Sequence, residues 1–251
     1  MQIVSAGITD IGRKRDRNED AFLINEELQL YVVADGMGGH AGGEFASALA
    51  VNTVEEMVLS MDLPSEYGGS EPDPVEVIKE ALRKSVQLAG QRIHDWANEH
   101  PEFRGMGTTV VALLLHGGNA YLAHVGDSRI YAVRDKAIHQ VTEDHSVIAQ
   151  SIREGLITEE QAKFHRMRNV ITRALGFDRD VEVDVVVRAT MRGDVFLLCS
   201  DGLSGKVDDT EMRNAIVRAD PQDAARYLVS LACQRGGDDN ITTIVVRVDA
   251  A

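Results

Sequence analysis

The chain is 251 residues long, with 44% hydrophobic and 26% charged residues; this is ordinary globular composition, with enough length for a sizeable core inside one large domain. A formal net charge of −14 argues against broad contact with nucleic acid or an anionic membrane, because both select basic surfaces. Cys199 and Cys233 form neither a disulfide framework nor a spaced metal motif. No run reaches membrane-spanning length, the start lacks a signal-like core and no tail follows Ala251, so a cytoplasmic chain without a membrane tether is expected.

In chain order, strand-like runs fall at 3–8, 21–25 and 28–34. A helical stripe follows from about Gly43 to Ser60, with Ala46, Leu49, Ala50, Val54 and Met57 on one side. Met61 to Asp73, with Pro64, Gly68, Gly69 and Pro72, reads as an exposed connector. Asp73 as N-cap and Pro74 at the first helical position open a longer helix. Its apolar face is Ile78, Leu82, Val86, Ala89, Ile93 and Trp96, and it should end near His100-Pro101.

Runs at 108–115, 119–125 and 129–134 are joined by His116-Gly117-Gly118-Asn119 and by Gly126-Asp127-Ser128. Both are turn chemistry, so an antiparallel meander is expected. Strands at 182–187, 194–200 and 241–248 follow, with helices at about 208–218 and from Asp220-Pro221 to Gly236-Gly237. Strands in groups, with helices inserted between the groups, exclude a doubly wound parallel sheet. They give an α+β layered fold in which helices cover sheets, with residues 1–251 as a single domain.

Acidic residues recur where these strands end. Asp35, Asp127 and Asp201 each follow an apolar run and sit beside a glycine, while Glu19-Asp20 and Asp238-Asp239-Asn240 each precede one. A lone Asp-Gly is ordinarily a turn or a helix cap. If five such groups converge, like charge must raise pKa values, share protons or bind cations, and hard divalent ions suit all-oxygen donors. Magnesium or manganese is expected, since no His or Cys pair has zinc-ligand spacing and no twelve-residue calcium loop is present.

The sequence resembles the type 2C family of metal-dependent serine/threonine protein phosphatases, in its bacterial single-domain form. The resemblance rests on Arg15-Asp16-Arg17-Asn18-Glu19-Asp20, Asp35-Gly36-Met37-Gly38-Gly39-His40-Ala41-Gly42-Gly43-Glu44, Gly107-Thr108-Thr109, Gly126-Asp127-Ser128-Arg129, Asp144-His145-Ser146, Ile171-Thr172-Arg173-Ala174-Leu175-Gly176, Ser200-Asp201-Gly202 and Asp239-Asn240. It implies a four-layer α-β-β-α sandwich, two central antiparallel sheets flanked by helices, with two metal ions at one end.

Carried over residue by residue, the resemblance implies that Asp35 bridges both metals. Glu19 and the Gly36 carbonyl complete one site, and Asp201 with Asp239 the other. Asp20, counted with the metal-site residues, and Asn240 support these ligands from behind, and Asp127 with Asp201 holds a third, weaker ion. Two cations sharing a water lower its pKa, so hydroxide can attack phosphorus in line. Arg15 matches the arginine that grips phosphate, its planar fork suiting two oxygens, and His40 matches the histidine proposed to protonate the departing oxygen. A solvated surface arginine and a structural histidine are the plain alternatives.

Residues 146–168 correspond to the family's flap beside the active site. Arg166 follows His165 where the family often has proline, which bears on flap geometry and substrate preference. Every expected acidic position is filled, so an active phosphatase opposing serine/threonine kinases is favoured over a catalytically weak phosphoprotein-binding module. Small phosphate esters remain a further substrate class, because the ligands see only the phosphoryl group. The implied partners are phosphorylated proteins and a cognate kinase, with no nucleic acid or membrane, and the chain is expected to be a monomer.

Overall fold

The computed structural model describes residues 2–38, 42–61, 63, 73–162 and 164–250. It opens with strands β1 (Gln2–Asp10), β2 (Asp20–Asn25) and β3 (Leu30–Met37), then helices α1 (Gly42–Ser60) and α2 (Pro74–Glu99). Strands β4 (Gly107–Thr108), β5 (Val110–His116), β6 (Asn119–Val125), β7 (Arg129–Arg134) and β8 (Ala137–Gln140) precede the short helices α3 (Val147–Arg153) and α4 (Glu159–Ala162). The last part holds β9 (Asp184–Ala189), β10 (Val195–Cys199), α5 (Asp201–Ser204), α6 (Asp209–Arg218), α7 (Pro221–Gln234) and β11 (Ile241–Ala250).

Two antiparallel sheets result, in the orders β1-β11-β10-β7-β8 and β2-β3-β5-β6-β9, with β4 paired to β3. Alternation along each strand feeds two separate packing layers. Tyr31 and Val33 of β3 join Val111 and Leu113 of β5 against Phe196 and Leu198 of β10 and Ile244 and Val246 of β11, which fills the space between the sheets. The intervening residues Leu30, Val32, Val110, Ala112 and Leu114 pack with α1 and α2. Behind the other sheet, Leu197, Cys199 and Val245 pack on α6 and α7 through Met212, Ile216 and Leu228.

The outcome is the expected α+β, four-layer α-β-β-α sandwich. Because central strands are covered on both faces, they read as continuous apolar runs and not as a polar-apolar alternation. The helix caps follow the sequence: Asp73 accepts from the Val75 amide, and Asp208 and Glu211 form a reciprocal capping box that opens α6.

Several elements differ from the sequence reading. Strand β8 carried no signal, being a short and mostly exposed edge strand of sequence AIHQ. The turn before it, Asp135-Lys136, has both residues at positive φ, 52° and 62°; it performs a hairpin turn without the glycine that usually betrays one. Trp96 does not complete the buried face of α2: it is 37% exposed and stacks on His100, with Phe45 5.0 Å away. The described residues of 146–168 form α3 and α4. Most of the expected connector at 61–73 lies outside the described residues.

Leu198 is fully buried between the sheets, so Leu198→Ala should cost about 2–5 kcal/mol of unfolding free energy. The exposed Val4 is its control, and Val4→Ala should stay within about 0.5 kcal/mol. Equal losses in chemical denaturation would contradict the placement of the core.

Candidate metal centre

The acidic residues are brought together by strand pairing and then by side-chain stitching. Antiparallel register places Asp20 opposite Asp35, and the Gly36 amide donates to the Glu19 carbonyl at 3.1 Å. Asp35 lies inside β3, not beyond its end as the apolar run suggested, because β4 prolongs the pairing through Gly36 and Met37. Thr109 then links the next element. Its amide donates to the Asp35 carbonyl at 2.9 Å, its hydroxyl accepts from the Asp35 amide at 3.1 Å, and the same hydroxyl meets Ser128 Oγ at 2.7 Å. The turn carrying Asp127 is thereby tied to the strand carrying Asp35.

Asp201 is the first residue of α5, separated from the end of β10 by Ser200 alone. A Cβ on Gly202 would lie 1.9 Å from the Asn240 carbonyl oxygen, so the close crossing of these two segments requires glycine. Asn240 joins the first residues of the chain to the last strand: its Oδ1 accepts from the Glu19 amide at 2.8 Å, and its Nδ2 donates to the Ile11 and Arg17 carbonyls at 2.9 Å each.

Glu19, Asp35, Gly36, Asp127, Asp201 and Asp239 thus surround one cavity of about 570 Å³. Arg15 lies in its wall, with Nη2 donating to Asp239 Oδ2 at 2.7 Å. Asp20 stands behind the cavity: Oδ2 accepts from Ser200 Oγ at 2.8 Å and from Thr242 Oγ1 at 2.6 Å, while the buried Oδ1 has no hydrogen-bond partner among the described residues. Asn169 also reaches the cavity, and nothing in the sequence marked it, since it lies in an aperiodic polar stretch. His40 lies outside the described residues, as do Gly39 and Ala41.

Burial and like charge act together on these groups. Burial pushes Asp35 well above the usual carboxylate range, and the charges of Asp20, Asp201, Asp127 and Asp239 push it further. Asp127 is held up at about 7 by burial and then by Asp201 and Asp144. Asp20 also stands at about 7, burial outweighing its bonds from Thr242 and Ser200. Asp201 and Glu19 are raised by burial as well; a hydrogen bond with Asp35 opposes the shift in the first, and the charge of Arg15 opposes it in the second. A buried set of oxygen donors whose charges destabilise one another is suited to hard divalent cations, which relieve both burial and repulsion.

Residues 12–236 match the family model described as Protein phosphatase 2C. The chain is similar to the serine/threonine phosphatase stp of Listeria monocytogenes, 36% identical over 245 residues, with 96% of this chain and 94% of the relative covered. Its structure resembles that of the serine/threonine phosphatase PstP/Ppp of Mycobacterium tuberculosis, with a TM-score of 0.88, 35% identity and 99% of each chain covered. It also resembles the catalytic domain of the serine/threonine protein phosphatase PstP in complex with two manganese ions, with a TM-score of 0.85, 34% identity and 99% of each chain covered.

Asp20 and Asp127 titrate near 7 in the folded chain, against an ordinary value of 3.8. Folding of the metal-free chain therefore takes up protons between about pH 4 and 7, and the stability these groups supply in acid is lost as pH rises through that window. Chelator-treated protein should melt several degrees lower at pH 8 than at pH 5, at roughly 2–4 °C per kcal/mol for this size. Asp127→Asn should shallow that slope and manganese should reverse the loss at pH 8. The same slope in Asp127→Asn and wild type, read by calorimetry, would contradict the burial of this charge.

Proposed function

Because the chain belongs to the protein phosphatase 2C family, we propose that it hydrolyses phosphoserine and phosphothreonine in proteins, using divalent cations held by the carboxylates around this cavity. One observation carries this reading: acidic side chains from five separate stretches of the sequence surround a single cavity with an arginine in its wall. The donor set suits magnesium or manganese, and the family is metal-dependent.

In this reading Asp35 would serve two ions. Glu19 and the Gly36 carbonyl would hold the first, Asp201 and Asp239 would hold the second, and Asp127 with Asp201 would serve a third. When bound, such cations would supply Lewis acidity, lowering the pKa of a water held at the site toward neutrality. The protein's own part is positioning. Asp20 fixes Ser200 and Thr242 behind the ligands, and Asn240 fixes the segment from Ile11 to Glu19.

Arg15 presents its planar fork to the phosphate, so that two phosphoryl oxygens can be gripped at once, and its bond to Asp239 aims the guanidinium along the cavity wall. His40 is assigned the proton that goes to the departing seryl or threonyl oxygen, a task suited to a group titrating near neutrality. No covalent phosphoenzyme is required. Among the described residues no helix is long and apolar enough to cross a membrane. We place the chain in the cytoplasm as a monomer opposing a serine/threonine kinase.

Manganese-dependent release of phosphate from a phosphothreonine peptide tests the proposal. Asp201→Asn should reduce kcat/KM by about 100-fold or more, since even groups that merely orient metal ligands are worth 10–100-fold, while unfolding stays cooperative. Undiminished turnover in that variant would remove Asp201 from the ligand set. Arg15→Ala should raise KM about tenfold with kcat nearly kept, because the arginine grips phosphate in the ground state and the transition state alike. An unchanged KM would refute that role.

A further inference from the structure

Beside the cavity lies a cluster with no part in the reading above. His124, His145 and Asp184 bring one potential ligand atom each within 4.8 Å of one another, and both histidines are buried. Its geometry opposes a metal site. The two imidazoles stack, with centroids 4.6 Å apart and planes at 23°, so their in-plane lone pairs run side by side and do not converge. His124 Nε2 is engaged with the Glu143 carbonyl at 2.9 Å, and Arg173 Nη1 lies 3.2 Å from His145 Nε2 and 3.4 Å from Asp184 Oδ1. That guanidinium would repel an added cation.

The hydrogen bonds of His145 instead fix one tautomer. The Gly126 amide donates to His145 Nδ1 at 3.1 Å. An amide can only donate, so Nδ1 must be a bare acceptor, and the neutral ring carries its proton on Nε2, where Asp184 Oδ2 accepts at 3.0 Å; Arg173 Nη1, 3.2 Å from the same nitrogen, then spends its protons on Asp184 Oδ1, and Nη2 pairs with Glu182. Burial, the largest influence on this ring, favours the neutral form. The His145 amide also donates to the Gly126 carbonyl at 2.9 Å. On the other side of Asp127, Arg129 grips Asp144 through three contacts of 2.7–3.1 Å. The dipeptide Asp144-His145 therefore clamps the turn 126–129 at both ends, with Asp127 between them.

We propose that His145 is a positioning residue: through the Gly126 amide it sets the direction of the Asp127 carboxylate, and Asp184 keeps its Nδ1 available for that task. The inference rests on Asp127 as an ion-holding group, and the test separates the two claims.

In metal-free protein, ¹⁵N imidazole spectra should show His145 as the Nε2–H tautomer, a readout that needs no variant. In His145→Asn, Oδ1 can stand where Nδ1 stood and accept from Gly126. In His145→Gln, the amide reaches the Nε2 position and that acceptor is lost. Hydrogen exchange at the Gly126 amide should quicken at least about tenfold in His145→Gln and stay within about threefold of wild type in His145→Asn.

In calorimetric titration with manganese, Asp127→Asn should abolish the weakest binding event and His145→Gln should weaken it about tenfold, with His145→Asn near wild type. An Nδ1–H tautomer, or wild-type exchange at Gly126 in His145→Gln, overturns the clamp. Wild-type manganese binding by Asp127→Asn overturns the ion-holding role of Asp127 instead, whatever Gly126 does.

Discussion

Mutual repulsion among buried carboxylates is the constraint around which this molecule is organised. Asp35, Asp127 and Asp201 sit in surroundings that favour the neutral acid; Asp201 and Asp127 push Asp35 up and Asp201 pushes Asp127 up, while Asp201 is itself raised by burial and Asp239 and eased by a hydrogen bond with Asp35. A chain free to relax would move them apart. Here they cannot move, because each belongs to a strand, or to the turn or helix start next to one, whose apolar residues are locked between the sheets or under the helices. The core supplies the stability that holds the charges in place, and divalent cations bound there would relieve the repulsion that remains. The same feature makes the arrangement useful, since ions bound to a rigid set of donors need little reorganisation when a phosphate arrives.

Rigidity at the cavity comes from hydroxyl and amide groups more than from the carboxylates themselves. Thr109 bridges Asp35 to the turn of Asp127 through Ser128, Asn240 draws the segment before Glu19 onto the last strand, and Ser200 with Thr242 grips Asp20 from behind. The clamp at His145 extends this pattern to the far side of Asp127. The hydroxyl and amide groups carry no charge of their own, so they fix the acidic residues without adding to the repulsion. Among the described residues, Oδ1 of Asp20 is a buried acceptor that this stitching leaves unsatisfied.

Much of this was legible in the order of residues. Continuous apolar runs gave most of the strands because both faces of a sandwiched sheet are covered, and the cap at Asp73 marked where α2 begins. The acidic residues of the cavity could be named because strand ends and Asp-Gly pairs are local features, and because their spacing along the chain resembles that of a known family. Strand β8 stayed hidden because an exposed edge strand has no burial pattern, and because Asp135 and Lys136 form its turn without glycine. Trp96 was misread because helical spacing tells which side of a helix a residue occupies, but not how far its neighbours cover it.

The sequence by itself determined which side chains could serve as oxygen donors and as a phosphate grip, since oxygen donors, an arginine fork and apolar strands are properties of the residues alone. Only the tertiary structure decided how those side chains face one another. It placed Asp20 behind the cavity and Asp239 against Arg15, brought Asn169 to the wall, and closed His145 onto the turn of Asp127. The physical reason is that these relations join positions tens to hundreds of residues apart. They are set by sheet register and layer packing, which no local stretch of chain encodes.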